Sequence, residues 1–592
     1  MLAVFVALGT VFTIFVISTS YSQIIELFPT GGGGYLVASK LLSPTWGMIS
    51  GCALLIDYVL TITISIASGA DAVFSFLPVQ WYDFKLGLAI AAVLALTVLN
   101  MRGAKESVLP LVPVFLIFII THVFFIGYAL VSHLSDFPAV TQAVVIEARR
   151  TSAELGLFGM IVVVLRAYSM GAGTFTGIEA VSNGLPVLRE PRVQTARRTM
   201  RYMAISLSFM VLGLMLAYLL YRVEHQPGRT LNAVLFVRAT AGWPTDWQYP
   251  VVLITLLSEA AILFVAAQSG FLDGPRVLAN MALDRWMPTR FAILSDRLVT
   301  QNGILLMGGA AAITMLCTNA SVTFLVVLYS INVFITFTLS QLAMVIHWWN
   351  THQLSAHFKK LLVNVTGLVL TTFILVSVTV LKFRQGGWVT LIITGMLVAV
   401  AVCIKRHYEQ TGRLMRRLDG LVAAADSAEE GAEEAAPTFD PSAKTAVLLV
   451  NGFNGLGLHS LFAIFRLFGK LYQNFVFVQI GIVDAGNFKG YEEIEGLEKH
   501  IKDELAKYVE FVTKQGYYAE SVSSMGTDVA DQITQVATGV CKRFPQAVFF
   551  AGQLVFPRET FFTRRLHNYI AFSVQRRLYQ EGVPFVILPI RV

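Results

Sequence analysis

The chain has 592 residues, of which 55% are hydrophobic and only 14% are charged, whereas roughly 25% of residues are charged in a typical soluble domain. This deficit indicates a membrane protein. The net charge of +7 comes mostly from Lys and Arg beside apolar segments, which favours membrane topology over nucleic-acid binding as its cause. The four cysteines are scattered without a CxxC pair, so the sequence predicts neither a metal site nor a disulfide framework.

About eleven apolar segments approach or reach the length of a membrane-crossing helix, which is about 20 residues. Lys and Arg cluster in alternate loops and after the last segment, so the positive-inside rule places these loops and the C-terminus in the cytoplasm. An odd number of crossings then puts Met1 outside, and we expect one further helix to precede it. The segments are roughly residues 2–27, 46–77, 86–101, 108–131, 158–187, 202–221, 250–271, 303–317, 322–348, 361–381 and 389–404.

The fifth apolar segment is interrupted in its middle by three glycines, among them Gly173, and by Thr174 and Thr176. Glycine frees the backbone from helical dihedrals, and open backbone at membrane depth is tolerated only where it is buried in protein or lines a cavity. Glu179 lies beside the interruption, and an ionisable group there needs a partner or an ion. The pattern predicts the broken helix of a secondary transporter, with Glu179 carrying a proton. The alternative is an ordinary kinked helix in which Glu179 pairs with Arg166.

In the second apolar segment, Asp57, Thr61 and Ser65 recur every four residues and therefore share one helix face. One carboxylate with a ladder of hydroxyl oxygens can replace the hydration shell of a monovalent cation, since hard cations select oxygen ligands. The alternative is that Asp57 pairs with an arginine while the hydroxyls bond to their own helix. Tyr329, in the ninth segment, either lines the same site or only packs.

Three further polar residues within or beside apolar segments have simpler interpretations. Glu26, at the end of the first segment, is expected to anchor an Arg or Lys. His122 is expected to be simply hydrogen-bonded. Glu259 suits a buried basic partner and is left without a role.

The chain changes character after the last apolar segment. Residues 1–407 form the predicted membrane domain, residues 408–444 a basic amphipathic and then acidic linker, and residues 445–592 a soluble domain. In this tail, buried strands alternate with helical patterns, which predicts a mostly parallel α/β sheet covered on both faces. The predicted strands are 446–450, 475–483, 518–522, 547–553 and 585–590, and the predicted helices are 459–471, 491–513, 528–543 and 560–581.

A glycine-rich loop follows the first predicted strand of the tail and contains Gly452, Asn454, Gly455 and Gly457. Glycines at this position can let a ligand phosphate approach a helix N-terminus, and the carboxyl end of a strand is where α/β sheets bind nucleotides. The GxxGxG order, however, matches neither the dinucleotide fingerprint nor the P-loop. The loop is therefore either a tight structural turn or a nucleotide site.

Two segments of the chain resemble the amino acid–polyamine–organocation (APC) superfamily of secondary transporters. Tyr21–Tyr35 looks like the end of that family's second helix, and Asp273–Pro288 looks like the segment after its eighth. The resemblance covers Met1–Ile404 and implies a LeuT-like fold, in which two five-helix inverted repeats surround a central site. The first apolar segment then corresponds to the family's second helix.

Within this superfamily the chain resembles the KimA-type potassium importers, which couple potassium to protons. Asp57, Thr61 and Ser65 match the acid and hydroxyls of their third helix. The sequence Thr176–Glu179 matches their sixth-helix Thr-Gly-x-Glu, and Tyr329 matches a tyrosine of their later helices. The resemblance also implies a tail like universal stress proteins, which forms a homodimer and binds a nucleotide, although the tail loop has its own pattern.

The sequence therefore predicts a proton-coupled potassium importer of the cytoplasmic membrane with a cytoplasmic tail. An amino acid or polyamine permease is the alternative within the superfamily, and its small zwitterionic or cationic substrate would bind the open backbone of residues 171–177. From another class, a transporter-like receptor would report to the tail without net transport. No catalytic constellation is recognisable, so neither an enzyme nor a cofactor is predicted.

Overall fold

The computed structural model describes residues 2–29, 31–103, 111–175, 177–185, 188–295, 297–351, 354–427, 438–484, 491–557, 563, 566–567 and 569–592. The chain divides into two compact units. The first comprises Met1–Leu278 and Gln301–Ala399, and the second comprises Ala279–Thr300 and Val400–Val592.

The first unit is helical because its apolar sequence must satisfy backbone hydrogen bonds within each segment. Within the described ranges, 11 helical segments are long and apolar enough to cross a membrane, which confirms the predicted number. The helices up to the tail are α1 (Ala3–Leu27), α2 (Gly33–Leu41), α3 (Pro44–Phe74), α4 (Lys85–Arg102), α5 (Leu111–Ser132), α6 (Phe137–Met170), α7 (Ile178–Asn183), α8 (Arg192–Leu220), α9 (Leu231–Ala239), α10 (Thr245–Leu283), α11 (Gln301–Thr318), α12 (Val322–Asn350), α13 (Leu354–Lys382), α14 (Gly387–Met415) and α15 (Gly420–Ser427).

The interior of the first unit lies around α3 and α12, which are the most buried of its long helices, whereas α6 is largely exposed. Exposed helix faces carry large apolar side chains such as Phe115, Ile120 and Phe158. An apolar surface of this extent is suited to contact with lipid. Polar residues collect in the interior instead, and Asn332 and Gln341 on α12 are fully buried.

The predicted interruption of the fifth segment is confirmed. After α6 a 3₁₀ helix occupies Gly171–Phe175, and α7 begins only at Ile178. Gly177 has a φ of 85°, a left-handed conformation that glycine adopts without steric cost, and it separates the two pieces. α7 ends at Asn183, whereas the sequence predicted a helix as far as Val187, which lies outside the described residues.

The tail is an α/β domain with a five-stranded, fully parallel sheet in the order β3-β2-β1-β4-β5, which confirms the predicted class. Neighbouring strand residues point to opposite faces. Leu448 and Phe477 pack on one face with α16 (Gly455–Phe468) and α17 (Tyr491–Lys514), and Val447 and Val476 pack on the other with α18 (Val529–Arg543) and α19 (Tyr569–Gln580). The strands are β1 (Thr445–Leu449), β2 (Asn474–Ile482), β3 (Tyr518–Gly526), β4 (Ala547–Val555) and β5 (Phe585–Arg591).

The second unit also contains the segment Ala279–Thr300, which packs against the end of α14. Lys405 Nζ donates a hydrogen bond to the carbonyl oxygen of Asp284 at 2.9 Å and lies 5.1 Å from the ring centre of Trp286. The last apolar helix continues as far as Met415, so the beginning of the predicted linker is helical.

Candidate functional site

Residues from both predicted site motifs meet around one cavity in the first unit. Its volume is about 20 Å³, which is room for about one water molecule. Asp57 and Thr61 contribute from α3, Glu179 from α7 and Tyr329 from α12. The described lining residues are Asp57, Tyr58, Thr61, Phe175, Gly177, Glu179, Ala180, Ser269, Tyr329, Val333 and Phe337.

The Asp57 carboxylate is the unusual group in this cavity. Its Oδ1 atom is buried and has no hydrogen-bond partner among the residues that the structure describes. The alternative in which Asp57 or Glu179 pairs with an arginine finds no support among the described residues, whose ion pairs include neither acid. A buried carboxylate without a partner is costly. A bound cation or a proton would relieve this cost.

Thr61 and Tyr329 add neutral oxygens beside Asp57. Thr61 lies one helical turn further along α3, and Tyr329 reaches the same cavity from α12. Both side chains are buried, and Tyr329 is only 1% exposed. Asp57 therefore has two hydroxyl oxygens beside it in the cavity, and a carboxylate with neutral oxygens is a ligand set suited to a hard monovalent cation.

Glu179 is held by a contact that the sequence reasoning missed. Its Oε1 atom accepts a hydrogen bond from the backbone N–H of Gly34 at 2.9 Å. A Cβ atom added to Gly34 would lie 3.1 Å from this oxygen and 2.9 Å from Thr336 Cγ2, so only glycine allows the approach. The run of four glycines at residues 31–34, where α2 begins, was the available signal, but it did not identify the partner.

Tyr58 and Asn183 form a second contact at the cavity that the sequence did not predict. Asn183 Nδ2 donates a hydrogen bond to the Tyr58 hydroxyl at 2.5 Å. A Cβ atom on Gly33, whose φ is 48°, would lie 2.0 Å from Asn183 Oδ1. The glycine run therefore packs against Asn183 at the end of α7 and against Glu179 on the same helix.

Two other predicted site residues, Ser65 and Thr174, are described by the structure but do not line the cavity. Ser65 is buried one turn beyond Thr61, and Thr174 lies in the 3₁₀ helix; neither is among the described residues that line the cavity. Gly173 belongs to the same 3₁₀ helix. Thr176 lies outside the described residues. Their roles stay predictions.

Glu26 has the anchoring contacts expected of it. Its two carboxylate oxygens pair with Arg197 at 2.8 Å and with Lys360 at 3.0 Å. The side chain of Lys360 also lies 4.8 Å from the ring centre of Trp348. Glu26 therefore ties the end of α1 to the beginning of α8 and to α13.

The glycine-rich loop of the tail has protein partners for several of its amides. Gly452 N donates to Gln479 Oε1 at 3.1 Å, Phe453 N donates to Glu504 Oε2 at 2.7 Å, and Gly457 N donates to Asn454 Oδ1 at 3.0 Å. A phosphate at these amides would have to displace the Glu504 carboxylate. These contacts favour the interpretation of the loop as a structural turn.

Close packing explains two glycines of this loop. A Cβ atom added to Gly455 would lie 2.2 Å from the carbonyl oxygen of Leu418, and one added to Gly457 would lie 1.9 Å from the Tyr508 hydroxyl.

Partial burial raises the pKa of Glu504, but the hydrogen bonds from Lys507 and from Phe453 N outweigh this and hold the pKa below its ordinary value. Glu504 is therefore an ionised carboxylate that completes the loop.

Comparison with known proteins identifies a family and several similar proteins, two of which are a curated relative and a solved structure. Residues 1–402 match the model of the family described as amino acid permease. The potassium transporter KimA of Bacillus subtilis (strain 168) is 32% identical over 416 residues, which are 70% of this chain and 66% of that protein, slightly less than two thirds of its length. The crystal structure of the Eremococcus coleocola manganese transporter, in complex with an aromatic bis-isothiourea substituted compound, is 16% identical and covers 68% of this chain and 92% of that chain, with a TM-score of 0.35.

Proposed function

Because the chain belongs to the amino acid permease family of the APC superfamily, and is thus a multi-pass membrane transporter, we propose that it imports potassium across the cytoplasmic membrane together with protons. The observation that carries the cargo assignment is the buried Asp57 carboxylate, which lacks a described partner and faces a cavity with Thr61 and Tyr329. The similar protein from Bacillus subtilis is named a potassium transporter, which supports the same cargo.

The ligand set of the cavity fits a monovalent cation. One carboxylate neutralises a single positive charge, and the hydroxyls of Thr61 and Tyr329 replace part of the hydration shell. A volume of about 20 Å³ admits a dehydrated ion of the size of a water molecule and leaves no room for an amino acid in this conformation. A divalent cation would leave one positive charge uncompensated once Glu179 carries a proton.

Coupling to protons follows from the presence of two acids at the same cavity. Asp57 and Glu179 both line it, and two ionised carboxylates in one buried space repel each other. The repulsion is removed when the cation neutralises Asp57 and a proton neutralises Glu179. The buried space is electrically neutral only when both ions are bound, so the fully loaded protein can change conformation at a lower desolvation cost than the partly loaded one. Alternating access would move the broken helix against the scaffold helices around this site.

An amino acid or polyamine permease is the second candidate, and the description of the matching family favours it. In that case a larger cavity would have to open in another conformation, with the backbone of Gly171–Phe175 binding the carboxylate or amine of the substrate. Asp57 would then hold a cationic amine.

Uptake by cells that lack their own potassium importers decides between the two cargoes. The full chain is expressed, and uptake of rubidium is compared with uptake of a panel of labelled amino acids and polyamines. We expect concentrative rubidium uptake and no uptake of the organic substrates. Uptake of an organic substrate alone would transfer the assignment to the permease. Absence of both fluxes from correctly inserted protein would contradict transport of either cargo.

For the tail we propose a cytoplasmic location and a homodimer, both by analogy with the family. A nucleotide at the glycine-rich loop is less well supported, because Glu504 and Gln479 already bind amides of this loop.

A further inference from the structure

A second group of polar residues, of which one is buried and three are half-buried, lies in the first unit apart from the cavity. It joins His122 on α5, Tyr218 on α8, Asn232 on α9 and Glu259 on α10. Asn232 connects two of them: its Nδ2 donates to Glu259 Oε1 at 2.8 Å, and its Oδ1 accepts from the Tyr218 hydroxyl. The group lies beside an apolar cluster to which α5, α8, α9 and α10 all contribute: Tyr218 packs against this cluster, and the His122 ring lies 5.4 Å from that of Phe236.

The hydrogen bonds fix the tautomer of His122. Its Nδ1 lies 2.9 Å from the carbonyl oxygen of Phe118, which can only accept, so Nδ1 carries the hydrogen. Nε2 of the neutral ring is then an acceptor, and it lies 3.9 Å from Glu259 Oε2. Neither Nε2 nor Oε2 has a hydrogen-bond partner among the described residues, although both atoms are buried.

We propose that Glu259 and His122 form a proton-binding site that holds one exchangeable proton between Oε2 and Nε2. The observed 3.9 Å is longer than a hydrogen bond, so the two side chains must move closer when the proton binds. Every polar atom from the Tyr218 hydroxyl to the Phe118 carbonyl then has a partner, and the group is electrically neutral. Without the proton, a carboxylate and the lone pair of an imidazole face each other in apolar surroundings. Two facing acceptors repel each other, and the uncompensated charge adds a large desolvation cost.

Other charged groups near this site do not supply the missing compensation. Arg238 on α9 is directed to the carbonyl oxygens of Tyr221 and Arg222. On α3, which packs against α10, Asp71 is paired with Lys85. The titratable neighbour on α8 is Tyr218, which is bound to Asn232. Within the described part of the unit, His122 is therefore the basic group that faces Glu259.

The site is separate from the cavity of Asp57. Glu259 and Ser269 lie on the same helix, and Ser269 lines the cavity. Ten residues of α-helix rise about 15 Å. The proton at Glu259 and His122 is therefore additional to the one assigned to Glu179. Its binding does not depend on the identity of the cargo.

Infrared titration of the full chain in lipid nanodiscs tests the site without a transport assay. Spectra are recorded from about pH 5 to about pH 9, a range that covers the titration of imidazole and of carboxyl groups shifted by burial. The variants are Glu259→Gln and His122→Asn, since the Asn carboxamide can keep the bond to Phe118 but removes Nε2. Glu224→Gln, in the exposed loop after α8, is the control with the same chemical change.

Among the carboxyl titrations of the wild type, including that of Glu179, we expect one reversible component that disappears in Glu259→Gln and is unchanged in Glu224→Gln. In His122→Asn its midpoint should move to lower pH by about one unit or more, because the acid loses its acceptor and the carboxylate loses a repelling lone pair. If Glu259→Gln does not fold, the shift of the carboxyl titration midpoint in His122→Asn tests the proposal by itself. A wild-type spectrum reproduced by Glu259→Gln, or a midpoint unmoved in His122→Asn, would overturn the proposal.

Discussion

Replacement of Asp57 by Asn removes one negative charge from the cavity while keeping the size of the side chain. Loss of one partner from a buried charge pair costs about 2–5 kcal/mol. The Asn carboxamide keeps one oxygen that can bind a cation, so we expect a cost of about 3 kcal/mol, or roughly 100-fold weaker cation binding. The assay is the KM for rubidium uptake into proteoliposomes that contain the purified full chain.

The same substitution should leave the fold intact or stabilise it. Asp57 Oδ1 has no hydrogen-bond partner within the described structure, so the folded state loses an uncompensated charge rather than an interaction. Asp71→Asn is the matched control on α3: it breaks the pair with Lys85 and should lower the melting temperature without changing the KM. A KM for Asp57→Asn within about threefold of the wild type, well below the expected factor, would refute the cation site.

Three further substitutions test contacts at the cavity, at the end of α1 and in the glycine-rich loop of the tail. Gly34→Ala should cost about 1–3 kcal/mol of stability and most of the uptake, because the new methyl group would meet Thr336 and the Glu179 oxygen; Gly87→Ala, which has nothing within 4 Å, is the control and should be neutral. Glu26→Gln should lower stability by only about 0.5–1 kcal/mol, since its two ion pairs are partly exposed and screened by salt; a larger loss would show that the anchor contributes more than surface pairs do. Glu504→Gln should lower tail stability by about 1 kcal/mol at neutral pH. Because the folded-state pKa of Glu504 is lowered, its contribution is present above the unfolded pKa of about 4.3 and is lost as the pH falls through the folded value. Proteolysis of the tail in the full chain, from about pH 7 to about pH 3, measures the difference in tail stability between Glu504→Gln and the wild type. A difference as large at the acid end as at neutral pH would contradict this reasoning.

The parts of the fold that depend on neighbouring residues could be predicted from the local sequence pattern. Long apolar runs predict membrane helices because the bilayer demands internal hydrogen bonding, and the structure has them. The glycines before Ile178 predict a break because their backbone is free, and a left-handed Gly177 lies there. Short apolar runs between helical patterns predict a parallel sheet, and β1 to β5 confirm it. The arrangement of the membrane helices as inverted repeats stays a prediction.

Contacts between distant residues could not be predicted in this way. Gly34 and Glu179 are 145 positions apart, and the sequence around each residue does not indicate that it contacts the other. His122 and Glu259 were each noticed as single polar residues, but only the packing of α5 against α10 brings their side chains to 3.9 Å. For the tail loop the sequence left a structural turn and a nucleotide site open, and the close packing of its Gly457 against Tyr508 favours the turn.

The central claim, coupled movement of a monovalent cation and a proton through the cavity of Asp57 and Glu179, is tested most directly in proteoliposomes with an imposed pH gradient. Rubidium and proton uptake are recorded together for the wild type and for Glu179→Gln. We expect an inward proton gradient to accelerate rubidium uptake with simultaneous proton entry in the wild type. Glu179→Gln should still bind rubidium but should no longer respond to the gradient, because its side chain has no exchangeable proton. Rubidium uptake that ignores the proton gradient in the wild type would contradict the account.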